Sequence, residues 1–199
     1  MVTGTKNIQN KILQEALKDI AFDGLNWNTI LRAAEKSGYD ADVATSVFPD
    51  KVTSFLLYFS TWIDDAMLEK LKETDPETMK IRERVRHGVW VRLNTLEPHK
   101  EIIRLSLNYW MNPLRKPKAA KMVWKTADHI WKWAGDNAID YNKYTKRALL
   151  TGVISATTLA WINDRSDNHE KTAAFLDRRI DNVLVVGKLA GKILNKVRS

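Results

Sequence analysis

Three features of the sequence predict an all-α protein. Apolar residues recur at helical spacing through nearly the whole chain, and no segment alternates apolar and polar residues as a half-buried strand would. The breaks between periodic runs carry capping residues, glycine or proline. At 199 residues, with 44% apolar and 28% charged side chains, the chain has the size and composition of a soluble globular domain able to bury a core. It has no cysteine, which excludes disulfides and thiolate zinc sites.

The elements follow in order. Ile8, Ile12, Leu13, Leu17 and Ile20 form the stripe of a first helix that ends around Phe22-Asp23-Gly24. A short helix from Asn28 to Lys36 is stopped by Gly38, and another from Asp40 to Val47 ends before Pro49. Asp50 is placed to cap a long helix whose inner face would be Val52, Phe55, Leu56, Phe59, Ile63, Met67 and Leu71. Asp75-Pro76-Glu77 reads as a helix start, with a capping aspartate and proline at the first helical position. That helix would bury Ile81, Val85, Val89 and Leu93 and turn Arg82, Arg84, Arg86 and Arg92 outward. Pro98 opens a helix through Trp110, Pro113 and Pro117 frame a turn, and a helix from about Lys118 to Ala134 is closed by Gly135. One more spans roughly Tyr141 to Ile162, and Asp167-x-x-Glu170 resembles a capping box for the last. The expected count is nine or ten helices, with no internal repeat and no low-complexity linker.

The first fifty residues have helix-turn-helix spacing, and the stretch SGYDADVATSVFPDKVTSFLLYF looks like the end of the DNA-binding region of a TetR-type regulator. A ligand-responsive DNA-binding regulator of that type is therefore the alternative function. Charge argues against it. The net charge is +8, yet residues 1–50 carry Lys6, Lys11, Lys18, Arg32 and Lys36 against Glu15, Asp19, Asp23, Glu35, Asp40, Asp42 and Asp50. DNA affinity comes largely from Lys and Arg displacing counterions from phosphates. The recognition-helix segment offers Asp40 and Asp42 and no base, so no nucleic-acid partner is expected.

No catalytic constellation appears. His87, His99, His129 and His169 have no histidine at i+4 and no glutamate three residues before them, so neither the zinc pair nor the helical di-iron motif is present. Gly187-x-x-x-Gly191-Lys192 is one residue short of a Walker loop and follows no strand. No catalytic residue, metal site or cofactor is expected, and nothing favours an enzyme. Apolar volume is plentiful instead, with eight tryptophans. By analogy with a TetR-like effector cavity, Phe55, Phe59, Trp62, Met67, Trp90, Leu93, Leu149 and Ile154 are candidates to line a ligand pocket. The small residues of the helix after Thr145 suit close helix packing, as in a dimer, or room for a ligand.

From Val183 to Ser199 the charges are Lys188, Lys192, Lys196 and Arg198, with no acid. On a helical wheel Val186, Leu189, Ile193 and Val197 share an apolar arc opposite Lys188, Lys192 and Lys196. That pattern fits a helix lying in an anionic membrane interface, and equally a terminal helix packed on the body. MVTGTKNIQNKILQ has no apolar core of a secretory signal. The expected location is the cytoplasm, peripheral on the inner membrane, for a bacterial chain, or the mitochondrial matrix side for a processed organellar one.

Five stretches carry a family resemblance: ILQEALKDIAFDGLNWNTILRAAEKSG, FPDKVTSFLLYFSTWIDDAM, KIRERVRHGVWVRLNTLEPHKE, WKTADHIWKWAGDNAIDYNKYTKRALL and AAFLDRRIDNV. Together they resemble the lipid-binding accessory protein family of coenzyme Q (ubiquinone) biosynthesis, the ninth of the Coq proteins. The resemblance implies an all-α, TetR-regulator-like helical bundle with no catalysis of its own, usually a homodimer. It implies segments 1–50 as a helix-turn-helix-like module, 51–182 as a lipid-binding and dimerisation domain, and 183–199 as an amphipathic basic helix in contact with membrane. The implied ligand is an isoprenoid quinone or phospholipid, and the implied partner is the di-iron hydroxylase acting on demethoxyubiquinone. The implied partner patch is Trp124, Asp128 and Trp131. The sequence departs from the family where Lys143 stands at the usual tryptophan of the aromatic-Asn-Trp-Tyr-Thr run. Trp131 and Trp133, about 200° apart on a helix, would point to opposite sides, and the resemblance implies that Trp131 is the outward one.

Overall fold

In the computed structural model, residues 2–136 and 141–182 are described, so the tail at 183–199 lies outside the described residues. The helices are α1 (Val2–Asp23), α2 (Trp27–Lys36), α3 (Ala41–Val47), α4 (Val52–Leu71), α5 (Ile81–Leu96), α6 (Lys100–Trp110), α7 (Lys116–Trp133) and α8 (Tyr141–Asn163). Residues 170–182 are also helical and are called α9. No strand occurs among the described residues. The fold class read from the sequence therefore holds.

Local chemistry sets the helix ends. Asn26 caps α2 by accepting from the Thr29 amide at 3.0 Å, and Asp40 caps α3 by accepting from the Val43 amide at 2.8 Å. α2 closes through Gly38, with Tyr39 N–H on the Ala34 carbonyl and Gly38 N–H on that of Glu35.

The chain forms two compact units, Met1–Ile63 with Leu96–Lys116, and Asp64–Thr95 with Pro117–Ser199. α4 contributes residues to both units. In the first unit Ile12, Leu13, Ala16, Ile20, Ile30, Ala33 and Phe48 are buried. Phe48 meets Phe55 edge-on, with centroids 5.6 Å apart. Long-range polar ties fix this packing: Gln9 donates to the Val47 carbonyl, and the Tyr58 hydroxyl donates to Asn10 at 2.7 Å. The expected inner face of α4, from Val52 to Leu71, is buried throughout. The second unit has its own core, in which Met67, Val85, Val89, Ile130, Leu150, Val153, Ile154, Leu176 and Ile180 pack together.

Four details of the sequence reading are corrected. Arg92 does not face outward. It is buried, and its Nε donates at 3.1 Å to Asp64, whose carboxylate also accepts from the Thr126 hydroxyl. A buried carboxylate needs a paired and hydrogen-bonded environment, and this draws Arg92 inward. Ile81 is 43% exposed, because it is the first residue of α5, where the helix has not yet reached the core. Asp75-Pro76 opens only a short 3₁₀ turn, Pro76–Thr78, and α5 begins after it. Finally, α9 is capped by Asp164 rather than by Asp167. Asp164 Oδ2 accepts from the Thr172 amide at 2.8 Å and its hydroxyl at 2.6 Å, while Oδ1 accepts from the Ser166 amide and hydroxyl. Asp167 belongs to a 3₁₀ turn whose Asn168 and His169 take left-handed backbone angles, φ 49° and 55°.

Candidate functional site

The corner joining α7 to α8 carries the densest polar constellation of the second unit. Its first part is a glycine-dependent stop. Asp136 N–H donates to the Trp131 carbonyl at 2.9 Å and Gly135 N–H to that of Lys132 at 3.1 Å, a closure that needs the left-handed backbone of Gly135, φ +88°. A Cβ at Gly135 would also lie 3.2 Å from Arg84 Nη1, whose guanidinium donates to the Ala134 carbonyl. The stop therefore delivers Asp136 to one fixed place.

Arg147, on α8, reads that place. Its guanidinium is almost fully buried and donates to Asp128 Oδ1 at 2.5 Å, to Asp136 Oδ2 at 3.0 Å and to the Lys143 carbonyl at 3.1 Å. Each acid keeps a second cation: Lys132 on Asp128 at 2.8 Å and Lys146 on Asp136 at 2.6 Å. Burial alone would push both carboxyls up, but the hydrogen bonds from Lys132 and Arg147, and from Lys146 and Arg147, outweigh it. Both groups lie below the ordinary carboxylate range and stay ionised.

This clamp decides the tryptophans. Trp131 is 5% exposed; its indole N–H donates to the Lys146 carbonyl at 3.1 Å, and Lys146 Nζ lies 5.4 Å from the ring centroid. The expected outward Trp131 is thus overturned: it is a core residue, covered because α8 folds back over α7. Trp133 is half-buried, donates to the Leu71 carbonyl at 3.1 Å and packs tilted against His87, with ring centroids 5.7 Å apart. Both indoles face the protein. Of the three expected patch residues, Asp128 is half-buried in the clamp and Trp124 is half-buried beside Tyr144, centroids 6.4 Å apart. Tyr144 is 61% exposed and, among the described side chains, is an aromatic that this corner offers to solvent. Its position at a helix start among charges gave no signal in the sequence. Arg147 and Lys146 were visible only as a basic pair.

The pocket candidates do not share one unit. Phe55, Phe59 and Trp62 belong to the first, where Phe59 and Trp62 stack at 6.3 Å and His99 packs edge-on to both. Burial lowers the pKa of His99, leaving a neutral imidazole there at neutral pH. Met67, Trp90, Leu93, Leu149 and Ile154 belong to the second unit; Met67 and Ile154 are in its core cluster, with Trp90 packed against it. Among the described residues, no group of three or more His, Asp or Glu is placed to hold a metal ion. No described helix is long and apolar enough to cross a membrane. The membrane candidates Val186, Lys188, Leu189, Lys192, Ile193, Lys196 and Val197 lie outside the described residues.

The fold is that of TetR-type regulators. The solved structure of a TetR transcriptional regulator from Nitrosomonas europaea matches with a TM-score of 0.69, over 89% of this chain and 98% of that one, at 18% identity. Within that fold the similarity is to COQ9. The COQ9 family model matches residues 116–187, a range that holds the whole α7–α8 corner. The chain is 29% identical to the mitochondrial ubiquinone biosynthesis protein COQ9 of Rattus norvegicus, over 94% of this chain and 62% of that protein. It is 27% identical to the human protein of the same name, over 94% of this chain and 61% of that protein, and 24% identical to a probable ubiquinone biosynthesis protein coq9 of Dictyostelium discoideum, over 92% and 62%. The chain spans about three fifths of the length of these curated relatives. The family resemblance read from the sequence is thereby shown.

Proposed function

We propose that this chain serves ubiquinone biosynthesis as a non-catalytic accessory protein. It binds isoprenoid quinone intermediates at a membrane and presents them to a demethoxyubiquinone hydroxylase. The observation that carries the reading is similarity, over 94% of the chain, to proteins named for ubiquinone biosynthesis. The task is physical. A polyprenyl quinone precursor is nearly insoluble in water, and its transfer needs an apolar shelter outside the bilayer. Residues 183–199 dock on anionic lipid, at about 1 kcal/mol per basic residue near the surface. The apolar side chains of the second unit, on the last turns of α4 and on α5 and α8, supply the shelter, and the Trp124–Tyr144 surface, rather than Trp131, meets the enzyme. The relatives' printed names place them in mitochondria, which supports the organellar option over the bacterial one. A homodimer is the working assembly.

The TetR fold keeps one rival reading in view, a DNA-binding regulator. Its recognition element would be α3, ADVATSV, which has no basic residue, follows the capping Asp40 and begins with Asp42 in its first turn. Arg32 and Lys36 of α2 are paired with Asp23 and Asp19. This charge balance repels a phosphate backbone. Native mass spectrometry of the purified chain separates the two readings. An isoprenoid quinone or its precursor should co-purify; a lipid-free protein that retards duplex DNA at physiological salt would overturn the proposal.

A further inference from the structure

Between the end of α8 and the beginning of α9 lies a cleft of about 560 Å³, lined by Asn163, Asp164, Arg165, Lys171, Phe175 and Arg178 among others. Lys171, Phe175 and Arg178 stand at i, i+4 and i+7 and so share one face of α9. Two of the three acids of the same helix are engaged elsewhere: Asp181 takes a forked pair from Arg82, and Asp177 one from Arg86, while Glu170 in its first turn is exposed. Among the described residues, Arg165, Lys171 and Arg178 make no side-chain ion pair. Asp164 is the one carboxylate on the lining. Its oxygens accept from Ser166 and Thr172 and it stays ionised, so the lining sets three cations against one carboxylate and keeps a net positive charge. The first amides of α9 are likewise taken: Thr172 N–H by Asp164, and Lys171 N–H by Ser166 Oγ at 3.2 Å. Any ligand is therefore met by side chains rather than by the helix terminus. Phe175 adds an apolar wall, with the Arg179 guanidinium 4.8 Å from its ring centroid.

We propose that this cleft binds a phosphate group, supplied by the headgroup of an anionic phospholipid. Guanidinium forks match phosphate oxygens in pairs, and a lysine adds a point charge. The lipid source is favoured over free phosphate by two features. Phe175 offers contact to the apolar part of such a molecule, and α9 leads in sequence into residues 183–199, with four bases and no acid. The headgroup site is separate from the quinone shelter and does not depend on it.

The test uses the full chain with residues 183–199 intact, and vesicles of phosphatidylcholine with or without phosphatidylglycerol. The Arg165→Gln, Lys171→Gln, Arg178→Gln triple variant is compared with a charge-matched control, Lys70→Gln, Lys121→Gln, Lys125→Gln, drawn from exposed residues of the same unit. The cleft variant should lose about a hundredfold in partitioning onto the anionic vesicles, the control no more than about threefold. All six side chains are exposed, so both variants should keep the wild-type melting temperature. Equal losses in the two variants would mean diffuse attraction and would overturn the site. Millimolar inorganic phosphate that raises the melting temperature of wild type, but not of the cleft variant, would overturn the lipid source.

Discussion

Replacing Arg147 with methionine tests the α7–α8 clamp directly. Methionine keeps much of the apolar stem but removes a buried guanidinium with hydrogen bonds to Asp128, Asp136 and the Lys143 carbonyl. Removing one partner of a buried ion pair costs about 3–5 kcal/mol. Here the lower end applies, since Lys132 and Lys146 still hold the two acids at 2.8 and 2.6 Å. A loss of about 3 kcal/mol corresponds to a fall in melting temperature of roughly 6–12 °C for a chain of this length. The pH dependence gives a second reading. Both carboxyls lie below their ordinary value in the folded state, so their contribution is complete above an unfolded pKa of about 4 and fades as pH falls through the folded value. The gap between wild type and variant should therefore narrow on acidification below that pH. Thermal melts by circular dichroism measure both effects, and hydrogen exchange of peptides from the corner localises them. A variant that melts within about 2 °C of wild type at neutral pH would refute the argument, because the desolvation of Arg147 would then cancel what its bonds contribute.

Trp131→Ala should destabilise the chain by about 3–5 kcal/mol in thermal or urea melts, whereas Tyr144→Ala should cost under about 1 kcal/mol and instead weaken hydroxylase capture on affinity resin. A stable Trp131→Ala protein would return Trp131 to the surface. Gly88→Ala should cost about 1–3 kcal/mol, since its Cβ would lie 2.7 Å from Ile130 Cγ2; an unchanged melt would mean that Ile130 repacks freely. Asp164→Ala should lower the melting temperature at neutral pH and leave it nearly unchanged in strong acid. The Ser166 and Thr172 bonds hold that carboxyl well below its usual range, and their contribution is lost as pH falls through the folded pKa.

The buried stripe of α4, the three-helix start and the stop at Gly135 were legible because each is local: helical spacing, a capping side chain or a glycine next in sequence. What escaped depends on distant partners. Arg92 looks like its surface neighbours on α5, and only Asp64, 28 residues away, turns it inward. Asp167-x-x-Glu170 has the spacing of a cap, yet the true cap is Asp164, eight residues before the amide it receives. The outward reading of Trp131 came from the resemblance, because helical geometry fixes the angle between Trp131 and Trp133 but not which side the next helix covers. Here α8 covers Trp131, and both rings end with an N–H on a backbone carbonyl.

That inversion changes what the corner can do for a partner. An exposed tryptophan at the end of α7 would have been a mobile anchor, immobilised only on binding. Instead the indole of Trp131 is spent inside, where its hydrogen bond and the Lys146 ammonium tie the first turns of α8 to the last turns of α7. Arg147 completes the lock from the same turn of α8. Tyr144, three residues before Arg147, is therefore presented from a helix whose register is fixed at several points, with Trp124 beside it. Ordering a flexible side chain or segment on association costs affinity, and a surface already held in place avoids much of that cost. The polar residues around the buried tryptophan thus hold the exposed Tyr144 in position, and the partner surface proposed above is built on that ring rather than on Trp131.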